Sequence, residues 1–231
     1  MALELYNSNW YFHEVLNEVE QQEIEKDFSE FVNDPALFEF HSEWDQQLRY
    51  TSNKTTYLPW DKYLQQLTRA LNIFTCTVGQ KEIWTILPRS NWIAKYDKGY
   101  NQGVQSHNAR NVNLMMIYFY DVDESDQIGF RFYHPENAWY ESTGLSEFFD
   151  MPFHQYFVPE VKKGSLLIFP SNTPHLEMSY KGDTPKITFN STMQVVSNRW
   201  PDENQGIEVS DMDMLENPRA PLYPMMGWMD V

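Results

Sequence analysis

Two histidines stand in contexts that set them apart from the rest of the chain. His107 closes the stretch Asn101-Gln-Gly-Val-Gln-Ser-His107-Asn-Ala-Arg, just ahead of an apolar run. His175 closes Gly164-Ser-Leu-Leu-Ile-Phe-Pro-Ser-Asn-Thr-Pro-His175, and Lys186 follows eleven positions later in Lys-Ile-Thr-Phe-Asn. Imidazole is a frequent ligand for iron, copper and zinc. A lysine ammonium pairs with carboxylates. Two imidazoles and one cation in that order point to an iron site with an anionic co-substrate beside it. The usual ferrous set is two histidines and one carboxylate on one face of the metal. The carboxylate position of that set, two residues after the first histidine, holds Ala109, and alanine cannot bind metal.

Residues so far apart in sequence need a scaffold that folds them together. The first third of the chain reads as helix. Asn17 precedes Glu20 by three, a capping-box spacing, and Ile24, Phe28, Phe31 and Val32 share one face until Asn33-Asp34-Pro35 stops the helix. A second helix is expected from Pro59-Trp60, with Trp60, Tyr63, Leu64, Leu67, Leu71 and Phe74 spaced three or four apart and Gly79 as its stop.

Beyond Gly79 the period changes. Eight short runs rich in β-branched and aromatic residues are expected as strands: Glu82–Leu87, Trp92–Tyr96, Val112–Tyr120, Phe130–Tyr133, Tyr156–Val161, Ser165–Phe169, Leu176–Tyr180 and Ile187–Val196. Pro, Gly and Asp punctuate them. Such a series predicts a mainly β protein with flanking helices and a jelly-roll core. The expected organisation is an N-terminal helical flank over 1–80, a jelly-roll catalytic core over 81–197 and an irregular C-terminal arm over 198–231. In a jelly roll, His107 and His175, each at the start of a strand, can converge in the barrel mouth.

Composition narrows the function classes. With 231 residues, 42 % hydrophobic and 16 % aromatic, the chain can bury a substantial core. A net charge of −16 argues against nucleic acid or an anionic membrane as electrostatic partner. A single cysteine, Cys76, excludes an internal disulfide framework and fits a reducing, cytoplasmic compartment. No stretch approaches the roughly 18 apolar residues of a membrane span, and the N-terminus has no signal-peptide pattern. Homo-oligomerisation stays open.

Here the sequence resembles the iron(II)- and 2-oxoglutarate-dependent oxygenases of the double-stranded β-helix fold. It looks closest to a bacterial and phage-type group. The matching text is Lys98-Gly-Tyr-Asn, His107-Asn-Ala and Ile117-Tyr-Phe-Tyr, then Val161-Lys-Lys-Gly-Ser-Leu-Leu-Ile-Phe-Pro-Ser-Asn-Thr-Pro-His175, and finally Gly182-Asp-Thr-Pro-Lys186-Ile-Thr188-Phe-Asn190. The resemblance covers about residues 90–196. It implies His107 and His175 as catalytic metal ligands. Lys186 would stand where an arginine binds the distal carboxylate of 2-oxoglutarate, with Thr188 beside it and Tyr96 and Tyr118 lining the same pocket. Fe(II) and 2-oxoglutarate are the implied cofactors. The implied substrate is a small molecule or a protein side chain.

Three readings of Ala109 stay open. Asp97, His134 or Glu177 supplies the third ligand; or the vacancy accepts chloride, as in iron halogenases of this superfamily; or the site is catalytically silent and the barrel is a binding or structural module, phage-related by its resemblance. His13, His41, His134 and His154 lack the flanking context that marks His107 and His175. The acidic run Asp121-Val-Asp-Glu-Ser-Asp lacks calcium-loop spacing and reads as a solvated hairpin turn.

Overall fold

The computed structural model describes residues 2–6, 9–40, 48–51, 57–78, 84–100, 103–123, 129–133, 142–144, 156–177 and 180–197. The expected C-terminal arm over 198–231 lies outside them.

Among the described residues, eleven strands form two antiparallel sheets. They are β1 (Ala2–Tyr6), β2 (Asn9–Val15), β3 (Phe38–Phe40), β4 (Leu48–Thr51), β5 (Trp84–Tyr96), β6 (Leu114–Asp121), β7 (Phe130–Tyr133), β8 (Tyr156–Phe157), β9 (Ser165–Pro170), β10 (His175–Glu177) and β11 (Lys186–Ser197). The large sheet runs β1-β2-β9-β6-β11-β5-β4-β3, and the small one β10-β7-β8. Helices α1 (Glu18–Asn33), α2 (Trp60–Gln66) and α3 (Thr68–Val78) complete the architecture.

The central strands β6 and β9 of the large sheet are covered on both faces, which their sequences record as runs without polar alternation. Strand β6 is buried along all but its last residue. Successive side chains leave a strand on opposite faces. Met116, Tyr118 and Tyr120 of β6, Leu166 and Ile168 of β9, and Ile187 and Phe189 of β11 join the helices in one core cluster. Met115, Ile117 and Phe119 of β6, with Leu167 and Phe169 of β9, join Phe130 and Phe132 of the small sheet in a second. A cavity opens on this second side, lined by Met115, Ile117 and Phe130.

Helix α1 starts as its sequence dictates. The Asn17 side chain accepts from the Glu20 amide at 3.0 Å, and the Glu20 carboxylate accepts from the Asn17 amide at 2.8 Å. The reciprocal box satisfies two otherwise orphaned donors. Ile24, Phe28 and Val32 then face the large sheet. The second predicted helix is two, α2 and α3, divided at Leu67.

Two expectations need revising. The N-terminal flank is not simply helical: β1–β4 extend both sides of the large sheet, β2 pairing with β9 and β4 with β5. A core sheet ending at β9 and β5 would leave open edges, and these strands cover them. Pro88 does not end a strand either. Strand β5 runs through it, and the register with β11 slips there: Thr192 faces Ser90 and Met193 faces Pro88. The extra residue, Arg89, is a bulge, which tolerates a proline lacking an N–H.

Candidate active site

Strand β11 presents Lys186, Thr188 and Asn190 away from the helices, and all three are buried. Buried polar side chains on a core strand are the informative exception to apolar burial. They line or underlie a cavity of about 350 Å³ between the two sheets, whose wall includes Tyr96, Gln105, His107, His175, Glu177 and Asn190. That volume suits a small-molecule site.

The two histidines meet there. Their rings stack with centroids 5.3 Å apart and planes at 23°. His107 is held by its backbone N–H donating to Ser171 O at 2.8 Å, and by Trp92, whose ring centroid lies at 5.7 Å. His175 opens β10, wedged against Phe130 and Phe169 with ring centroids at 5.6 and 5.2 Å. Its Nδ1–H donates to Thr173 O at 3.0 Å, so the lone pair sits on Nε2, the tautomer a metal ligand needs. Burial lowers the pKa of His107, and pushes that of His175 down to about 4. Both rings are therefore neutral near pH 7, ready to ligate without releasing a proton.

Gln105 completes this end of the cavity. It pairs with His175 as an isolated antiparallel bridge, its N–H donating to His175 O at 2.8 Å and its carbonyl oxygen accepting from the His175 N–H at 2.9 Å. Its side-chain Nε2 lies 3.3 Å from His175 Nε2. Ala109, by contrast, is exposed, follows a turn in which its N–H donates to His107 O at 2.9 Å, and is not part of the cavity wall. The residue beside the two rings thus lies two positions before His107, not two after it. Sequence reading passed over Gln105 because it anchored the spacing on His107. The signal was there in Gln105-Ser-His107, a polar pair with one residue between.

The proposed third ligands fare differently. Asp97 is paired with Arg49 at 2.5 Å. Glu177 lines the cavity but its carboxylate accepts from the Lys186 ammonium. His134 lies outside the described residues. Among the described residues no three His, Cys, Asp or Glu side chains are grouped to hold a metal.

At the other end, Lys186 is 0 % exposed, and forms a buried ion pair with Glu177. Its Nζ lies 4.5 Å from the Tyr96 ring centroid and 5.7 Å from that of Tyr180, within cation–π range. Burial pushes the Glu177 carboxyl up, against the downward pull of the Lys186 charge. Thr188 accepts from Asn190 Nδ2 at 2.9 Å and is hydrogen-bonded to Tyr96, whose hydroxyl burial pushes up. Tyr96 therefore faces the cavity. Tyr118 does not: it stands on the helix side of β6, packed on Tyr63 and Phe189 with centroids at 6.1 and 5.9 Å. Strand alternation puts its neighbour Ile117 on the cavity wall instead, which corrects the expected place of Tyr118.

The donor set suits a divalent first-row metal in part. Two neutral imidazoles and an amide converge, while the carboxylate is engaged elsewhere. A carboxylate-binding cation is present and buried, and it already carries an internal carboxylate.

No family model matches the sequence, and no curated protein matches it. Solved structures do resemble the fold. A 2OG-Fe(II) oxygenase family oxidoreductase from Burkholderia pseudomallei superposes with a TM-score of 0.54 at 11 % identity, covering 77 % of this chain and 79 % of that one. The non-heme alpha ketoglutarate dependent carbocyclase SnoK, from nogalamycin biosynthesis, gives 0.55 at 13 % identity over 94 % and 89 %. The epimerase SnoN in complex with Fe3+, alpha ketoglutarate and nogalamycin RO gives 0.54 at 9 % over 84 % and 83 %. The chain carries the double-stranded β-helix fold of the iron(II)- and 2-oxoglutarate-dependent oxygenases.

Proposed function

We propose that this chain is an iron(II)- and 2-oxoglutarate-dependent oxidising enzyme, and that it hydroxylates a small molecule or protein side chain admitted to the cavity between the sheets. The single observation that carries this reading is the pair of neutral, stacked imidazoles at one end of that cavity with a buried ammonium at the other. Iron with 2-oxoglutarate supplies an oxidant strong enough to break a C–H bond. The chain's own residues do the rest. His107 and His175 hold the metal through ring nitrogens, and Gln105, whose side-chain Nε2 lies 3.3 Å from His175 Nε2, donates to that ring nitrogen until the metal takes its place. Phe130, Phe169 and Trp92 exclude water around the rings. Lys186 takes the distal carboxylate of the co-substrate, with Thr188 and Tyr96 behind it. Ala109 is exposed, and hydroxylation is the outcome this reading assigns.

An anaerobic titration of the full chain with Fe(II) and then 2-oxoglutarate tests the proposal. A weak visible charge-transfer band should appear, then vanish in His107→Ala and His175→Ala while folding persists. One observation favours the runner-up, a catalytically silent jelly-roll module: Lys186 is already neutralised by Glu177. A folded wild-type chain that binds no iron would establish that alternative.

A further inference from the structure

Glu177 lines the cavity, and its carboxylate accepts from the enclosed Lys186 ammonium. Among the described residues of the cavity wall Glu177 is present and Lys186 is not. The ammonium is fully enclosed, with Tyr96 and Tyr180 on its flanks and the Glu177 carboxylate across its front. A buried ammonium needs a counter-charge. This chain provides one from β10, two residues beyond His175 and so on the same face of that strand. A ligand that must place a carboxylate on Lys186 meets a carboxylate already there.

We propose that Glu177 is a built-in counter-anion that closes the co-substrate end of the cavity, and that a dicarboxylate binds only by exchanging with it on Lys186. The inference rests on reading this cavity as a 2-oxoglutarate site, and it sets how that site is gated. Exchange leaves the charge at Lys186 balanced, because one carboxylate replaces another. The displaced side chain stays on the strand face that carries His175, at the cavity whose resting metal-binding set has no carboxylate. The co-substrate therefore binds weakly, since its gain at Lys186 is offset by the pair it breaks. A 2-oxo acid lacking the second carboxylate escapes this competition.

The test is calorimetric binding of 2-oxoglutarate to the full chain loaded with Zn(II), which supports no oxidation. Glu177→Gln should bind about tenfold or more tightly than wild type, the ratio that one charge-assisted hydrogen bond is worth. Glu177→Asp keeps the charge but retracts it by one methylene, and should fall between the two. That second variant decides the matter if the unbalanced lysine prevents Glu177→Gln from folding. Lys186→Met combined with Glu177→Gln should abolish the gain, and pyruvate should bind all variants alike. Equal affinity of wild type, Glu177→Asp and Glu177→Gln for 2-oxoglutarate overturns the gate while leaving the site's function standing. Zinc binding without 2-oxoglutarate binding in any variant overturns the co-substrate reading and the gate with it.

Discussion

His175 is a base kept uncharged by its surroundings. Its ring is 1 % exposed among Phe130, Phe169 and His107, and burial holds its pKa at about 4 against an ordinary 6.5. In the unfolded chain the ring takes up a proton as pH falls through 6.5, whereas the folded ring resists until about pH 4. The unfolded state then binds more protons, so the contribution of His175 is fully present above pH 6.5 and is lost on acidification through that window. The loss approaches about 3 kcal/mol by pH 4. His107, shifted down for the same reason, adds in the same direction. Denaturant melts of chelator-treated protein from pH 7 to pH 4 should show this steepening, and His175→Gln, which carries no titrating group, should melt with a shallower pH profile. Identical profiles for the two proteins would refute the buried neutral ring. Individual residues were half-legible in the sequence. His107 and His175 announced themselves through flanking text, and they do meet. Gln105 and the Lys186–Glu177 pair did not, because pairing across strands depends on register, which no local pattern of residues encodes.

Strand β11 is the element on which both halves of the molecule depend. One face carries Phe189, stacked on Tyr120 at 4.9 Å and 8° and edge-on to Tyr63 and Trp60 at 5.5 and 6.0 Å. The other carries Lys186, Thr188 and Asn190. Phe189→Ala should cost about 3–5 kcal/mol, the range for emptying an aromatic site in a packed core, and would loosen the cavity with it. Equilibrium unfolding measures this, and a loss below about 1 kcal/mol would deny β11 that role. At α1, Asn17→Ala removes one arm of the capping box and should cost about 1 kcal/mol. Helix α1 and strands β6, β7, β9 and β11 were legible because cap, period and turn signals agreed. The N-terminal strands were not: the segment Asn9–Val15 becomes a strand by pairing with β9, a tertiary cause that outweighs local preference. Gly164 is a local signal read correctly. It sits at φ +84° before β9, with the Gln21 side chain filling the space where a Cβ would stand, so only glycine serves there.

The whole molecule carries a net charge of −16, and self-repulsion at that charge opposes compaction. Raising ionic strength from dilute buffer to physiological salt should therefore raise the Tm, since screening shortens the reach of repulsion to about 8 Å. A Tm that falls with salt would mean that ion pairs such as Arg69 with Glu14 and Glu20, at 2.9 and 2.8 Å, outweigh the repulsion. Among the described residues no helix is long and apolar enough to cross a membrane. Fold class was legible from strand punctuation alone. The enclosure of the cavity was not, because it arises from stacking one sheet on another.

Among the described residues, the segment bearing His107 is tied by two backbone hydrogen bonds between Gln105 and His175, and by one from the His107 N–H to Ser171 O in the turn that follows β9. This seam joins the two segments that carry the imidazoles. A cation clasped by both rings would act as a rivet across it, coupling mineral supply to mechanical integrity. Starved of that ion, the two segments would lose this clasp and keep only their hydrogen-bonded bridge.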